Sequence, residues 1–263
     1  MNKTKIEWTD YVWNPVRGCL HNCPYCYGKR IDRRFSDGSF TPTFHPERLQ
    51  EPLKVKKPSR IFVGSMADLF GKWDWVDKSG GFVAYSANVI NSILNIADQC
   101  PQHTFIFLTK NPKGMQGFDF PDNCWCGTSV ENQEKADERI PELLRVDCKT
   151  LFVSYEPALG PIDLTDITLP DEYQPRHVML PSLNGYKINA LIDDDDHLYQ
   201  SEKHIDWLII GAQTGPGAVR PNQDWISSAI NQARDANIPV FVKDNVNWFS
   251  KIQEWPEGVK SCE

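Results

Sequence analysis

The sequence predicts an α/β protein built on parallel strands, arranged as a partial (β/α)6-7 TIM-like barrel. Two observations lead to this fold class. Short, almost wholly apolar segments recur along the chain, and segments with helical periodicity lie between several of them. Strands that are apolar throughout are typical of parallel sheets covered by helices on both faces. A doubly wound open sheet is the alternative architecture.

Six of the apolar segments are predicted to be buried parallel strands. Each is rich in β-branched or aromatic residues and ends in small or polar ones. They are RIFVGS (60–65), TFIFLTK (104–110), WCGTSV (125–130), TLFVSYEP (150–157), DWLIIGAQ (206–213) and PVFVKDN (239–245). A further strand around VWNPVRG (12–18) brings the count to about seven.

Three segments, 82–99, 131–145 and 224–237, are predicted to be helices. In the second, Asn132 is a candidate N-cap, and Pro141 should bend or end the helix. The apolar face predicted for the first comprises Val83, Ala87, Ile90, Leu94 and Ala97. The face predicted for the third comprises Ile226, Ala229, Ile230 and Ala233.

The chain is predicted to form a single domain over residues 1–263, because single β/α barrels commonly reach this length. Region 162–204 is acidic, interrupted by prolines and without clear periodicity. It is predicted to be an insertion between strands, either a mobile loop or a lid or partner surface.

Composition limits the partners and the compartment. A net charge of −7 disfavours binding of nucleic acid over the whole surface, although KRIDRR (29–34) and KVKKPSR (54–60) leave room for a local basic patch. No apolar run approaches the roughly 18 residues of a membrane span. The amino-terminal residues lack the apolar core of a secretory signal, so we expect a cytoplasmic protein with reduced thiols and no membrane partner.

The segment GCLHNCPYCYG (18–28) places Cys19, Cys23 and Cys26 within eight positions. Structural zinc takes four protein ligands, so zinc would also need His21 or a distant residue. A 4Fe-4S cluster held by only three cysteines has one iron open to another ligand. The cysteines alone leave both metal sites open.

The spacing C-x3-C-x2-C, with Tyr25 directly before the last cysteine, resembles the radical S-adenosylmethionine (radical SAM) superfamily. The resemblance implies one 4Fe-4S cluster held by Cys19, Cys23 and Cys26, with SAM chelated at the open iron. It also implies an electron donor such as flavodoxin or ferredoxin, and reductive cleavage of SAM to a 5′-deoxyadenosyl-type radical. By the same resemblance, Tyr25 packs near the adenine.

A closer resemblance extends over nearly the whole chain. Its blocks are KIEWTDYVWNPVRGC, RIFVGSMADLF, GTSVENQEKADERIPELL, YEPALGPIDL, DWLIIGAQTGPGAVRP and PVFVKDN. They resemble an uncharacterised phage- and prophage-associated family of radical-SAM-like proteins, for which no substrate is established. Phage association and the basic segments favour modification or repair of a nucleic acid or nucleotide. The alternative is an iron-sulfur or zinc-containing binding or regulatory protein without SAM turnover.

Polar residues at the ends of predicted strands are candidates for binding SAM. GSMADLF (64–70) stands where the superfamily often has a glycine-glycine-glutamate segment. By analogy, Ser65 and Asp68 would receive the SAM amino group, and Lys110 would meet a carboxylate or phosphate. Ser129 and Glu131 would bond the ribose hydroxyls. Helix capping or a surface ion pair is the alternative role for each.

Three further residues complete the candidate site. Glu156 and Lys243 end apolar strands and are predicted to act in substrate binding or proton transfer, with a mutual ion pair as the alternative. Gln213 lies in the glycine-rich loop GAQTGPGAVRP (211–221), which is predicted to bind a phosphate or the SAM carboxylate. The cysteines predicted to pack in the core, rather than to hold a second cluster, are Cys100, Cys124, Cys126, Cys148 and Cys262.

Overall fold

The structure is a computed structural model that describes residues 1–83, 86–167, 188–192, 198–201 and 203–256. For 188–192 and 198–201 only the backbone is described. The chain forms two compact units. The first comprises Met1–Cys126 and Asp147–Lys149, and the second comprises Gly127–Val146 and the described residues from Thr150 onward.

The first unit contains two helices and a set of mostly short strands. The helices are α1 (Tyr27–Phe35) and α2 (Ser86–Asp98). The strands are β1 (Asn2–Lys3), β2 (Tyr11–Trp13), β3 (Val16–Arg17), β4 (Thr43–Phe44), β5 (Arg60–Val63), β6 (Trp75–Val76), β7 (Phe82–Val83) and β8 (Thr104–Thr109). Strand β9 (Cys124–Val130) begins in this unit.

The second unit contains the end of β9, two helices and the remaining strands. The helices are α3 (Gln133–Leu143) and α4 (Gln223–Asp235). The strands are β10 (Thr150–Tyr155), β11 (Ile188–Ile192), β12 (Leu198–Ser201), β13 (Trp207–Ile210) and β14 (Val240–Val242).

The main sheet has eight strands in the order β1-β2-β5-β8-β9-β10-β13-β14. The pairs β2-β5, β5-β8, β10-β13 and β13-β14 are parallel, and β1 is antiparallel to β2. A second sheet has the order β3-β4-β6-β7, and β11 pairs with β12 as an antiparallel hairpin. The predicted fold class, α/β with a mostly parallel sheet, is confirmed.

All six apolar segments form strands, and most of their residues are buried, as expected for parallel strands. The seventh prediction is only partly right. Segment 12–18 divides into β2 of the main sheet and β3 of the smaller one. Pro15 lies between them and has no N–H to donate to a ladder, so the chain leaves the main sheet there.

Helices α3 and α4 agree with their sequence patterns. The side chain of Asn132 caps α3 by accepting a 3.1 Å hydrogen bond from the N–H of Lys135. Pro141 lies inside α3, which ends two residues later. All four residues predicted for the apolar face of α4 are buried.

The apolar face of α2 was partly mispredicted. Val83 belongs to β7, and Ala87 is exposed, whereas Val89 and Ile93 join the buried stripe. The helix begins at Ser86, so a stripe counted from Val83 starts outside it. The buried face of α2 therefore differs from the predicted face in the first half of the helix.

The predicted insertion, 162–204, lies between β10 and β13 and contains the hairpin of β11 and β12. Residues 168–187, 193–197 and 202 of this region lie outside the described residues. At its beginning, Ile162, Leu164 and Ile167 are buried. The first residues of the region therefore alternate between buried apolar side chains and exposed polar ones.

A clasp between Asp10 and Arg60 joins the segment before β2 to the start of β5. The carboxylate of Asp10 accepts hydrogen bonds from the backbone N–H of Arg60 at 2.8 Å and from its guanidinium at 3.2 and 3.1 Å. Burial alone would raise the pKa of Asp10, but these bonds and the charge of Arg60 outweigh it and lower the pKa. The clasp fixes the alignment of two parallel strands.

Replacing Asp10 with asparagine should lower the free energy of unfolding by about 1–2 kcal/mol at neutral pH, because the charge-assisted bonds are lost. The Asp10 pKa is depressed in the folded state, so this contribution is present above the ordinary carboxyl value of about 4 and disappears as the pH falls below it. Urea unfolding at pH 7 and pH 3 measures both effects. Asp122→Asn, which removes an exposed pair with Lys149, should be nearly neutral. Equal losses in both variants would contradict the role of the clasp.

Candidate functional site

The cysteine loop begins at Gly18, which fixes its path. Gly18 has φ +94°, and a Cβ there would lie 2.2 Å from the carbonyl oxygen of Thr41, so only glycine fits. Its N–H donates to the carbonyl of Met66 at 2.8 Å. The loop is thereby tied to the segment that follows β5.

The three loop cysteines are half-buried and form no disulfide. The N–H of Cys19 donates to the carbonyl of Phe40 at 3.0 Å. Cys26 is the N-cap of α1, where its sulfur accepts a 3.3 Å hydrogen bond from the N–H of Lys29. The loop therefore places one of its thiols directly at the amino end of a helix.

The Cys19 thiol is held in its neutral form. Burial is the main cause that raises its pKa to about 12, and the nearby charges of Asp68, Cys23 and Cys26 add to it. A hydrogen bond from the backbone of His21 acts in the opposite direction. Any metal ion that binds Cys19 as a thiolate must therefore displace a proton.

Within the described residues, no group of three or more His, Cys, Asp or Glu side chains is positioned to hold a metal ion. The three loop thiols are nevertheless near neighbours, since the charges of Cys23 and Cys26 contribute to the raised pKa of Cys19. Their donor chemistry suits a three-cysteine cluster.

Asp68 connects the loop to the ends of two parallel strands. Its buried carboxylate accepts hydrogen bonds from the hydroxyl of Thr109 at 2.6 Å and from the N–H of Lys110 at 2.9 Å, both at the end of β8. The N–H of Phe70 donates at 3.1 Å, and Nε2 of His21 donates at 2.8 Å. One carboxylate thus gathers β8, the turn after β5 and the cysteine loop.

Three of these bonds keep Asp68 ionised. Burial by itself would raise the pKa of this carboxyl, but the hydrogen bonds from His21, Lys110 and Thr109 together outweigh burial and lower the pKa. The role predicted for Asp68, receiving the SAM amino group, stays a prediction. In the structure its oxygens already accept hydrogen bonds from donors of the protein itself.

His21 is fixed from two sides, by Asp68 and by Trp73, whose ring stands edge-on to it at 4.9 Å between centroids. Because Nε2 is bonded to Asp68, zinc could use His21 only through Nδ1 or by breaking that bond. A carboxylate behind an imidazole is common in metal sites. The described side chains nevertheless form no such site here.

Two predicted cofactor-binding residues, Tyr25 and Lys110, contact each other. The ammonium of Lys110 donates to the hydroxyl of Tyr25 at 3.1 Å and lies 5.4 Å from the centre of its ring. Both side chains are half-buried. An aromatic ring and a cation therefore lie together beside the last cysteine of the loop.

Ser65 is held by Asn14, a residue that sequence reasoning did not select. The Asn14 amide donates to the Ser65 hydroxyl at 3.1 Å and accepts from the N–H of Met66 at 3.1 Å. The hydroxyl of Tyr27 donates to the carbonyl of Ser65. Asn14 directly follows a strand and precedes a proline, which is the local signal that could have identified it.

In the second unit, Ser129 and Glu131 are linked by a buried arginine. Arg139 on α3 pairs with Glu131 at 3.1 Å and donates to the carbonyl of Ser129 at 2.7 Å. All three residues are buried. The ribose-binding roles of Ser129 and Glu131 stay predictions, and the structure assigns both of them a partner in Arg139.

Glu156 and Lys243 form an ion pair. They follow β10 and β14, which flank β13 in the sheet, so the pair crosses the end of β13 at Gly211. A Cβ at Gly211 would lie 2.5 Å from Cδ of Glu156. The ion pair that sequence reasoning left as an alternative is present, and it needs the glycine beneath it.

The loop after Gly211 is fixed at its start. The side chain of Asn245 exchanges hydrogen bonds with the N–H and the carbonyl of Ala212 at 3.1 and 3.0 Å. Gln213 is half-buried and accepts a 3.3 Å bond from the N–H of Val219, while residues 214–220 are exposed. Anion binding by Gln213 stays a prediction.

The other described cysteines are buried. The Cys148 thiol donates to the carbonyl of Cys124 at 3.3 Å, and burial raises the pKa of Cys124. Burial also raises the pKa of Cys100. Packing, as predicted, accounts for these positions, and Cys262 lies outside the described residues.

The fold and the loop define a mixed α/β protein with three thiols, none of them in a disulfide, beside the ends of its first parallel strands. The chain matches, over residues 3–259, the family model described as a protein of unknown function (DUF5131), and it belongs to that family. Comparisons with curated proteins and with solved structures found no match. No helix in the described ranges has the length and apolar character to cross a membrane.

Replacing Asp68 with asparagine should lower the free energy of unfolding by about 1–3 kcal/mol, because an amide N–H₂ would face N–H donors inside the protein. Urea denaturation measures the loss. Asp77→Asn is the matched control, since Asp77 also accepts from the backbone N–H groups of Ser79 and Gly81, but in an exposed turn. A variant at Asp68 that is no less stable than the one at Asp77 would refute the connecting role of Asp68.

Replacing Gly211 with alanine should destabilise the protein by about 1–3 kcal/mol through overlap with Glu156. In a Glu156→Ala background the same substitution should cost at least about 1 kcal/mol less, because the overlapping atoms are gone. A double-mutant cycle by urea unfolding measures this coupling. Equal costs in both backgrounds would show that the glycine is required for another reason.

Proposed function

We propose that this protein is a radical SAM enzyme, in which Cys19, Cys23 and Cys26 hold one 4Fe-4S cluster. The observation that carries the proposal is the set of three half-buried thiols without a disulfide in one loop, with a strand before it and a helix after it. Such a cluster, once bound, supplies an open iron for SAM and the electron that cleaves its sulfonium to a 5′-deoxyadenosyl-type radical.

The surroundings of the loop support the proposal. The amino end of α1, capped by Cys26, favours negative charge beside it. Tyr25 offers an aromatic face for adenine, and Lys110 beside it offers a cation for the SAM carboxylate or for a phosphate. Ser65 is proposed to bind the SAM amino group, with Asp68 keeping His21 and the end of β8 in place.

Five residues of the second unit keep the roles that the sequence predicts for them. Ser129 and Glu131 are assigned to the ribose, and Gln213 to an anionic group. Glu156 and Lys243 are proposed as the catalytic pair, because a carboxylate and an amine side by side can accept a proton from a bound substrate and donate one to it.

Three broader assignments belong to the same proposal. The mostly parallel sheet is taken as the partial β/α barrel that the sequence predicts. The protein is placed in the reducing cytoplasm, where its seven described cysteines would stay out of disulfides. A flavodoxin or a ferredoxin is proposed as the electron donor.

The alternative function is a zinc- or cluster-containing binding protein without SAM turnover. The observation in its favour is the contact of His21 with Asp68, an arrangement that orients imidazole ligands in many metal sites. Metal content and SAM cleavage distinguish the two functions.

The test is anaerobic reconstitution with iron and sulfide, followed by metal analysis and electron paramagnetic resonance of the reduced protein with and without SAM. The wild type should show a 4Fe-4S signal that changes when SAM is added. Alanine at Cys19, Cys23 or Cys26 should each remove nearly all bound iron, because a cluster with two thiolates is poorly held.

Cys100→Ala is the matched control, since Cys100 is a buried cysteine outside the loop and its variant should keep the cluster. Unchanged iron in all three loop variants would overturn the proposal. A colourless wild type with stoichiometric zinc would support the alternative, and so would a cluster whose signal ignores SAM.

A further inference from the structure

Helix α1 turns its apolar residues outward. Its two buried residues are Gly28 and Asp32, whereas Tyr27, Ile31 and Phe35 are 41%, 40% and 79% exposed. The exposed three lie at i, i+4 and i+8 and therefore form one stripe along the helix. In an ordinary surface helix such a stripe faces the core.

The reversed packing has a clear local cause. A Cβ at Gly28 would lie 2.9 Å from the ring of Phe40, so the helix approaches its support through a glycine. The carboxylate of Asp32 accepts from the N–H of Phe40 at 3.1 Å and lies 3.6 Å from the guanidinium of Arg17. This polar anchoring fixes α1 with its apolar stripe in solvent.

The exposed part of α1 is also strongly basic. Arg33 and Arg34 are exposed, Lys29 and Arg30 are half-buried, and the helix has no exposed carboxylate. Among the described residues, Arg33 and Arg34 pair with no acidic side chain. The chain as a whole carries a net charge of −7, so this helix is a local reversal of sign.

We propose that the outer face of α1 (Tyr27, Ile31, Phe35, Arg33 and Arg34) binds single-stranded nucleic acid. Guanidinium groups neutralise phosphates, and exposed rings provide faces on which unpaired bases stack. Because Cys26 is the N-cap of α1, a bound strand lies beside the proposed cluster. The inference rests on the proposed function in one respect, because it names the class of substrate on which the proposed enzyme would act.

Two other anionic partners fit the face less well. A helix that binds a membrane surface buries a larger apolar face than the three apolar side chains of this nine-residue helix. An acidic protein would pair with Arg33 and Arg34 but carries no row of bases to stack on the rings of Tyr27 and Phe35. A strand of nucleotides supplies a charge and a planar ring at each step.

The test is fluorescence anisotropy with a labelled oligomer of twelve deoxythymidines and the full-length protein, at several salt concentrations. About three to four phosphate contacts predict a slope of log K against log salt of roughly −2 to −3. Arg33→Gln/Arg34→Gln should weaken binding at least about tenfold at low salt and make the slope less steep by about 1.4. Phe35→Ala should weaken binding at least about fivefold.

Two control variants match these changes elsewhere in the first unit. Lys3→Gln/Lys5→Gln removes the same charge from two exposed lysines outside both basic segments, and Phe82→Ala removes a 66% exposed ring. Both should bind the oligomer nearly as well as the wild type. Controls that lose as much affinity as the α1 variants would overturn the proposal, since net charge or non-specific apolar contact would then explain the binding.

Two further probes test for binding of an acidic protein or a membrane surface in place of nucleic acid. Equal or tighter binding to an oligomer of twelve glutamates, or to vesicles of phosphatidylserine and phosphatidylcholine, would overturn the assignment to nucleic acid. Iron is measured in the same samples, before and after reconstitution. Oligomer binding without a cluster would therefore leave this inference standing while the proposed function fails, and the converse result would do the opposite.

Discussion

The buried carboxylate of Asp68 is the interaction on which the first unit depends most. Its two oxygens accept bonds from β8, from the turn after β5 and from the cysteine loop, three segments distant in sequence. A buried charge is tolerated only when such donors replace its water. The buried charge of Asp68, through its bond with His21, therefore holds the cysteine loop and its thiols in position.

Much of the main sheet could be predicted from the sequence, because parallel strands buried on both faces leave continuous apolar runs such as 104–109 and 150–155. The two-residue strands of the smaller sheet are too short to produce an apolar run from which they could be predicted. Helix α1 was not predicted from periodicity either, since its buried positions are Gly28 and Asp32 and its apolar residues face solvent. A pattern method assumes that apolar residues point inward, and here they do not.

The candidate site was predictable only in part, for a different reason. Asp68, Lys110, Glu156 and Lys243 could be selected because they are polar residues at strand ends. Their hydrogen-bond partners could not, because these contacts join segments that are distant in sequence. Asn14, Thr109 and Arg139 were therefore missed, although each fixes a residue that was selected. Gly211 was predicted only as part of an anion-binding loop, whereas in the structure it makes room for the side chain of Glu156.

The cap at Cys26 makes the amino end of α1 depend on the state of one sulfur atom. The N–H of Lys29 has that sulfur as its acceptor, and a first-turn amide has no carbonyl of its own helix to replace it. A sulfur drawn toward a metal would loosen the first turn, and a ligand that orders the first turn would in return favour one position of the sulfur. The helix end and the thiol are therefore linked equilibria, and the exchange rate of a single backbone proton records both.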